Sequence, residues 1–169
     1  MTVTVHAADV VLTMTGEPLP GHAVVVDNAV ITAIGPRSEF THERIRDWPG
    51  VLLPGLVNAH TRLRFDDRVA AHQLLRNGTT TTGWVEGLTG DAVDLLASGP
   101  GGDAETRIRA ITVDAAQALG LDVGTLRVGG RADLAVFDVP PEDPYVSLIT
   151  HGSGRCVATV MGGRLVHRR

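Results

Sequence analysis

Strand-like segments crowd both ends of the chain and leave only residues 52–118 between them for anything else. Val3–His6 and Asp9–Met14 are alternating or rich in β-branched residues, the pattern of half-buried strands. His22–Val26 and Val30–Ile34 are apolar runs on either side of Asp27-Asn28, a hairpin turn pair. Gly35-Pro36 ends that hairpin, and the polar stretch 37–49 reads as a loop or a short helix. Toward the other end, Leu134–Asp138, Cys156–Met161 and Arg164–His167 read as strands, the last two joined by Gly162-Gly163. Two all-β ends that share one sheet system enclose the middle as an insertion.

The middle has a different period. Val51-Leu-Leu-Pro-Gly-Leu-Val-Asn-Ala-His60 is apolar with a Pro-Gly break and suits a strand entering a buried position. Asp66–Asn77 carries Val69, Ala70, Leu74 and Leu75 at helical spacing, with Gly78 as a stop. Thr79–Val85 is β-branched and predicts a strand; Thr89–Ala97 predicts a helix. After the Ser98-Gly-Pro-Gly-Gly102 loop, Ala104–Leu119 predicts one helix with Ile108, Ile111, Ala115 and Leu119 on one face, closed by Gly120.

Composition removes several function classes. Hydrophobic residues at 43% and charged residues at 20% give a core-forming chain rather than a disordered one. A net charge of −4 argues against nucleic acid as a main partner, and aromatics at 4% leave few stacking platforms. All 15 basic residues are arginine, so no lysine nucleophile, Schiff base or carbamylated lysine ligand is available. The single cysteine, Cys156, excludes an internal disulfide framework and a multi-cysteine zinc site. No apolar run reaches a membrane span and no signal-peptide pattern opens the sequence, so the expectation is a cytoplasmic protein with no membrane partner.

Four segments together resemble the amidohydrolase superfamily. Val51 through Leu63, with Pro-Gly, two apolar residues and Asn58-Ala-His60-Thr-Arg62, resembles its first barrel strand, where the pattern ends in D/N-x-His-x-His. Leu75-Arg-Asn-Gly-Thr-Thr-Thr resembles the segment that begins its second barrel strand. Ala115 through Asp138, with Leu-Gly-Leu, Gly-Thr-Leu and Ala-Asp-Leu, resembles the exit from its last barrel helix. Val-Met-Gly-Gly-Arg-Leu-Val resembles its final hairpin. The nearest branches are imidazolonepropionase, aminodeoxyfutalosine deaminase and cytosine deaminase. The resemblance implies a composite β-sandwich built from both chain ends beside a metal-bearing barrel, and hydrolysis of non-peptide C–N bonds.

The sequence departs from that pattern in two ways. A (β/α)₈ barrel needs ~250 residues, whereas the whole chain has 169. Residues 52–118 suffice for about two βα units plus a helix, at roughly 30 residues per unit. The family's first-strand pair supplies two metal ligands; here His60 is kept and Arg62 replaces the second histidine. A guanidinium has no lone pair to offer and repels a cation. The family's remaining ligands are a lysine or acidic residue, two histidines and an aspartate. The chain has no lysine, and no histidine between His72 and His151. Asp103 falls near the position of the last-strand aspartate.

The expected fold is therefore mixed α+β. Residues 1–51 and 119–169 form a composite β-sandwich, and residues 52–118 form a truncated barrel remnant inserted in it. The tentative ligand-binding residues are His60, Arg62, Thr79 and Asp103, with no catalytic residue and no metal ligand set. Arg62 offers a bidentate clamp for a carboxylate or phosphate; surface ion pairing is its plainer role. Asp66 and Asp67 suit a helix N-terminus, His72 a solvent-facing helix position, Asp133 a turn or backbone cap, and Cys156 a small buried hydrophobe. Three functions follow. The first is a non-catalytic amidohydrolase-like module that binds a partner protein, possibly a full-length amidohydrolase, or a small anion. The second is a hydrolase of a cyclic amide or aminated base, its zinc or iron site completed by another subunit. The third is a structural or decayed paralogue. No cofactor is expected except in the second case. An opened barrel exposes strand edges that another chain must cover, so an oligomer is expected.

Overall fold

The computed structural model describes residues 3–41, 44–59, 68–83 and 102–169. The protein is mixed α/β, with one large sheet. Its strands from the first part of the chain are β1 (Val3–Val11), β2 (Leu19–Pro20), β3 (His22–Asp27), β4 (Val30–Pro36) and β5 (Arg44–Pro54). Those from the last part are β8 (Leu134–Phe137), β9 (Cys156–Met161) and β10 (Arg164–Arg168). The eight strands run in the order β10-β9-β8-β5-β1-β3-β4, with β2 beside β1. The two ends of the sequence thus meet where β5 pairs antiparallel with β8, Val51 opposite Phe137 and Leu53 opposite Ala135.

The apolar runs are explained by burial on both faces of the sheet. Along β5, Val51 and Leu53 point into one core and Leu52 into the other. Along β8, Ala135 and Phe137 join the first core while Leu134 and Val136 join the second. The first core is closed by helices α2 (Ala104–Ala110) and α4 (Pro144–His151), which contribute Ile108 and Leu148. The second lies inside the curl of the sheet itself, with Val26, Ile31, Trp48, Ala158 and Val160. Each fully buried side chain of this size contributes about 1.5–3 kcal/mol.

The curl closes at one end through backbone bonds. Ile31 donates to the carbonyl of Gly130 and Ala132 to that of Ala29, while Gly163 donates to Ala132. A side-chain carbon on Gly163 would land on the carbonyl oxygen of Asn28. The β9–β10 turn therefore sits directly on the β3–β4 turn, and only glycine fits there.

Between β5 and β8 the chain makes a second, two-stranded sheet. Strands β6 (Leu56–Asn58) and β7 (Thr79–Thr82) are parallel and joined through α1 (Arg68–Arg76). This is one βαβ unit, as the middle of the sequence predicts. Helix α3 (Val113–Ala118) packs on it through Ala115 and Ala116 against Val57 and Ala59.

Several boundaries differ from the sequence-based expectation. The first segment, Val3–His6, and the start of the second, Asp9–Val11, are one strand with a register shift between Ala8 and Val10, and the strand ends before Leu12–Met14; Asp9 beside that shift accepts the N–H of Gly50 on β5. The stretch 44–49, expected as loop or helix, is the first half of β5. Parallel pairing with β1 supplies its backbone partners and buries Trp48. The single helix expected over 104–119 is two helices. Thr112 turns its hydroxyl onto the carbonyl of Ile108, and the carbonyl of Ile111 leaves the helical ladder to accept the N–H of Val57. Helix α4 was not foreseen, although Asp143 as N-cap followed by Pro144 is its signal. The helix expected over 89–97 lies outside the described residues.

Candidate functional site

In open parallel units, ligands are bound beyond the carboxyl ends of the strands. Here those ends are Asn58 on β6 and Thr82 on β7, which are paired, and Gly83 donates to the carbonyl of Asn58 at 2.9 Å. Val57 and Ala59 face α3, so strand alternation turns Asn58 to the opposite face, where it is buried. The chain continues from Ala59 toward His60 and Arg62, and both lie outside the described residues, as do Asp66 and Asp67.

Thr79 stands at the start of β7, opposite Leu56, at the other end of the strand from Thr82. It is buried, and among the described residues its hydroxyl has no hydrogen-bond partner; nor has that of Thr80. Thr80 packs over Gly55, where no side chain fits. Asp103 is the N-cap of α2, exposed, with its carboxylate accepting the N–H of Thr106 at 2.8 Å. That bond holds its pKa below the ordinary carboxylate value. Thr79 and Asp103 sit on separate elements and share no hydrogen bond.

The described residues hold no donor set for the metal that the family resemblance implies, and His60 lies outside them. Among the described residues no three His, Cys, Asp or Glu side chains gather as a cation site. Asp103, the nearest match to the family's last-strand aspartate, uses its carboxylate to cap a helix.

Other residues behave as their sequence context predicts. His72 is exposed on α1. Cys156 is buried, and that burial pushes its thiol pKa up, away from reactivity. Asp133 accepts the N–H of Gly162 at 2.6 Å and the Nε–H of Arg131 at 2.8 Å, so it caps the β9–β10 hairpin. Two polar groupings escaped the sequence reading: a buried His6–Trp48 pair, and a basic cleft where α1 crosses β9 and β10. Both join residues far apart in the sequence, and no local spacing announces them.

The comparisons agree with a mixed α/β fold. The family model described as "Amidohydrolase family" matches residues 78–167. The chain belongs to the amidohydrolase family. A dihydroorotase from Anaeromyxobacter dehalogenans (strain 2CP-1 / ATCC BAA-258) is 30% identical over 92% of this chain and 40% of its own length. Another dihydroorotase, from Anaeromyxobacter sp. (strain K), is 41% identical over 36% of this chain and 17% of its own length. The chain thus spans at most 40% of these two relatives. Among solved structures, a zinc-bound adenosine deaminase from Xanthomonas campestris superposes with a TM-score of 0.76 at 12% identity, covering 98% of this chain and 93% of that one. Helicobacter pylori aminofutalosine deaminase gives 0.71 at 12% identity, covering 98% of this chain and 100% of that one. At that identity the likeness is one of fold.

Proposed function

We propose that this chain is a non-catalytic amidohydrolase-like module, which binds a partner chain or a small anion instead of hydrolysing a substrate. The observation that carries it is Arg62, an arginine where the family's first strand has its second metal-binding histidine. A fixed positive charge at that position opposes a divalent cation and favours an oxyanion. The helix-capping role of Asp103 supports the same reading. In this proposal residues 1–51 and 119–169 form a composite β-sandwich, supported by the β5–β8 pairing and the contact of the two hairpin turns. Residues 52–118 are the barrel remnant, supported by the parallel β6–α1–β7 unit. The open edges of that unit are covered in an oligomer or by a partner, in the cytoplasm.

A second reading is favoured by the relatives. Dihydroorotases and deaminases are metal-dependent hydrolases of non-peptide C–N bonds, and this chain acts likewise if another subunit completes its site around His60. Elemental analysis separates the two, on protein purified with zinc and iron present and no chelator. The module reading expects a metal content far below stoichiometric and unchanged in His60→Ala. It also expects no turnover of cyclic amides or aminated purines. About one metal per chain, lost in His60→Ala, overturns it and establishes the hydrolase.

A further inference from the structure

The βαβ unit has a second end, opposite Asn58 and Thr82. There the last turn of α1 meets β9 and β10 around a cleft of about 480 Å³. Gln73 and Arg76 line it from α1 and Asn77 from the residue after it, Cys156 from β9, and His167 and Arg169 from the final strand and the residue after that. The spacing explains the convergence. Positions 73, 76 and 77 share one helix face, and positions 167 and 169 share one strand face. None of the lining residues is acidic. Arg169 also lines the adjoining hollow that holds Asp138, and Asp138 stands 3.9 Å from Arg155, its partner.

Both walls are tied to the main sheet. Thr159 donates its hydroxyl to the carbonyl of Leu75 at 2.6 Å, which ties the residue before Arg76 to β9. Arg169 donates its backbone N–H to Val157 at 2.9 Å and its Nη1 to the carbonyl of Gly154 at 3.0 Å. That bond uses one nitrogen of the Arg169 guanidinium, and both arginines line the cleft. Fixed donors bind with less loss of side-chain freedom. The two guanidiniums also act on His167. Burial holds its pKa below the ordinary histidine value; a hydrogen bond to the backbone of Cys156 works against that shift, and the charges of Arg76 and Arg169 add to it.

We infer that this cleft is an oxyanion site for a phosphoryl group, held between the guanidiniums of Arg76 and Arg169 with the amides of Gln73 and Asn77 as neutral donors. Two guanidiniums and two amide donors match the several acceptor oxygens of a phosphate better than they match a single carboxylate. The polar lining suits a small hydrated anion rather than an apolar ligand. The site lies at the amino ends of the parallel strands and is independent of the proposal for Arg62.

Isothermal titration calorimetry at pH 7 and low salt tests it, with inorganic phosphate and glycerol 3-phosphate as probes and acetate as the control anion. The expected result is saturable phosphate binding at one site per chain, with acetate much weaker. Arg76→Gln weakens binding about tenfold, and Arg76→Gln with Arg169→Gln abolishes it. Arg37→Gln, which removes a guanidinium paired with Asp47, leaves it unchanged. NMR of His167 shows its pKa rising when phosphate binds. Tighter binding of glycerol 3-phosphate assigns the site to a phosphorylated small molecule; equal or weaker binding assigns it to free phosphate. Phosphate binding no better than acetate, or binding kept in Arg76→Gln, overturns the inference. Circular dichroism confirms that each variant is folded, and exposed Arg76 makes the single variant decisive if the double one is not.

Discussion

Trp48 donates its indole N–H to Nδ1 of His6 across 3.1 Å, inside the curl of the main sheet. The two rings lie 9° from parallel, and the guanidinium of Arg168 stands 5.6 Å from the Trp48 ring centroid. The acceptor role of Nδ1 places the ring proton on Nε2, so the bond requires a neutral imidazole. Protonation of Nδ1 would set donor against donor. Burial first, and the charge of Arg46 second, lower the His6 pKa to about 4.

A pH dependence of stability follows from that pair. The unfolded chain takes up the His6 proton near 6.5, and the folded chain only near 4. The unfolded state therefore binds more protons throughout the interval, and stability falls with falling pH inside it. The contribution is complete above pH 6.5, is lost as pH drops through 4, and changes no further below. Its size is roughly 3 kcal/mol from the shift. Urea denaturation at intervals from pH 7.5 to 4 measures the slope. In His6→Gln, which cannot titrate, the slope over that window should fall by about one proton; an unchanged slope assigns the effect to other groups.

The closure of the sheet gives a sharper test. Gly163 has a φ of +75° and no room for a side chain beside Asn28. Gly163→Ala combines backbone strain with a collision against backbone, and should cost on the order of 2–3 kcal/mol. Gly21 also has a positive φ, of +62°, but open space around it. Gly21→Ala should cost about 1 kcal/mol, the strain alone. Thermal melts of the pair separate strain from collision. Equal losses would mean that the two hairpin turns do not press together.

The same contrast shows what the sequence made legible. Alternating or β-branched runs bounded by turn residues located β1, β3, β4, β8, β9 and β10, because those strands carry their burial pattern locally. Asn28, at a φ of +54°, and the Gly162-Gly163 pair marked their hairpins for the same reason. Arg44–Pro49 was opaque because its partner is β1, some forty residues earlier, and parallel pairing leaves no local mark. The break at Ile111-Thr112 was opaque because a remote N–H, that of Val57, takes the carbonyl a continuous helix needs. Of the candidate site, the motif residues were visible as chemistry, but His60 and Arg62 lie outside the described residues. The basic cleft was invisible: each of its arginines reads alone as a solvated charge.

Asp133 should prove costly to replace. Its carboxylate is buried, and accepts from both Gly162 and Arg131, while its carbonyl accepts the N–H of Gly55. Asp133→Ala strands the Gly162 N–H and should cost about 1–3 kcal/mol. Asp133→Asn keeps an acceptor oxygen and should cost less. Arg131→Ala should cost under about 1 kcal/mol, because its partner retains Gly162 and its own side chain is largely exposed. If Arg131→Ala matches Asp133→Ala in chemical denaturation, the ion pair and not the backbone cap is the stabilising part.

Helix α1 has no buried residue, so little apolar packing holds it. Its last turn is tied to the main sheet by the hydroxyl of Thr159, itself fully buried, on the carbonyl of Leu75. Thr159→Val keeps the shape and removes that bond. Global stability should drop by only about 1 kcal/mol. The local consequence is larger in relative terms, because a weakly packed helix opens well below the free energy of global unfolding. Amide hydrogen exchange over residues 68–76 should accelerate about fivefold, while β8 and β9 change only with the global stability. Uniform acceleration across helix and sheet would show instead that α1 opens only when the whole sheet does, and that the two parallel strands and the main sheet are one cooperative unit.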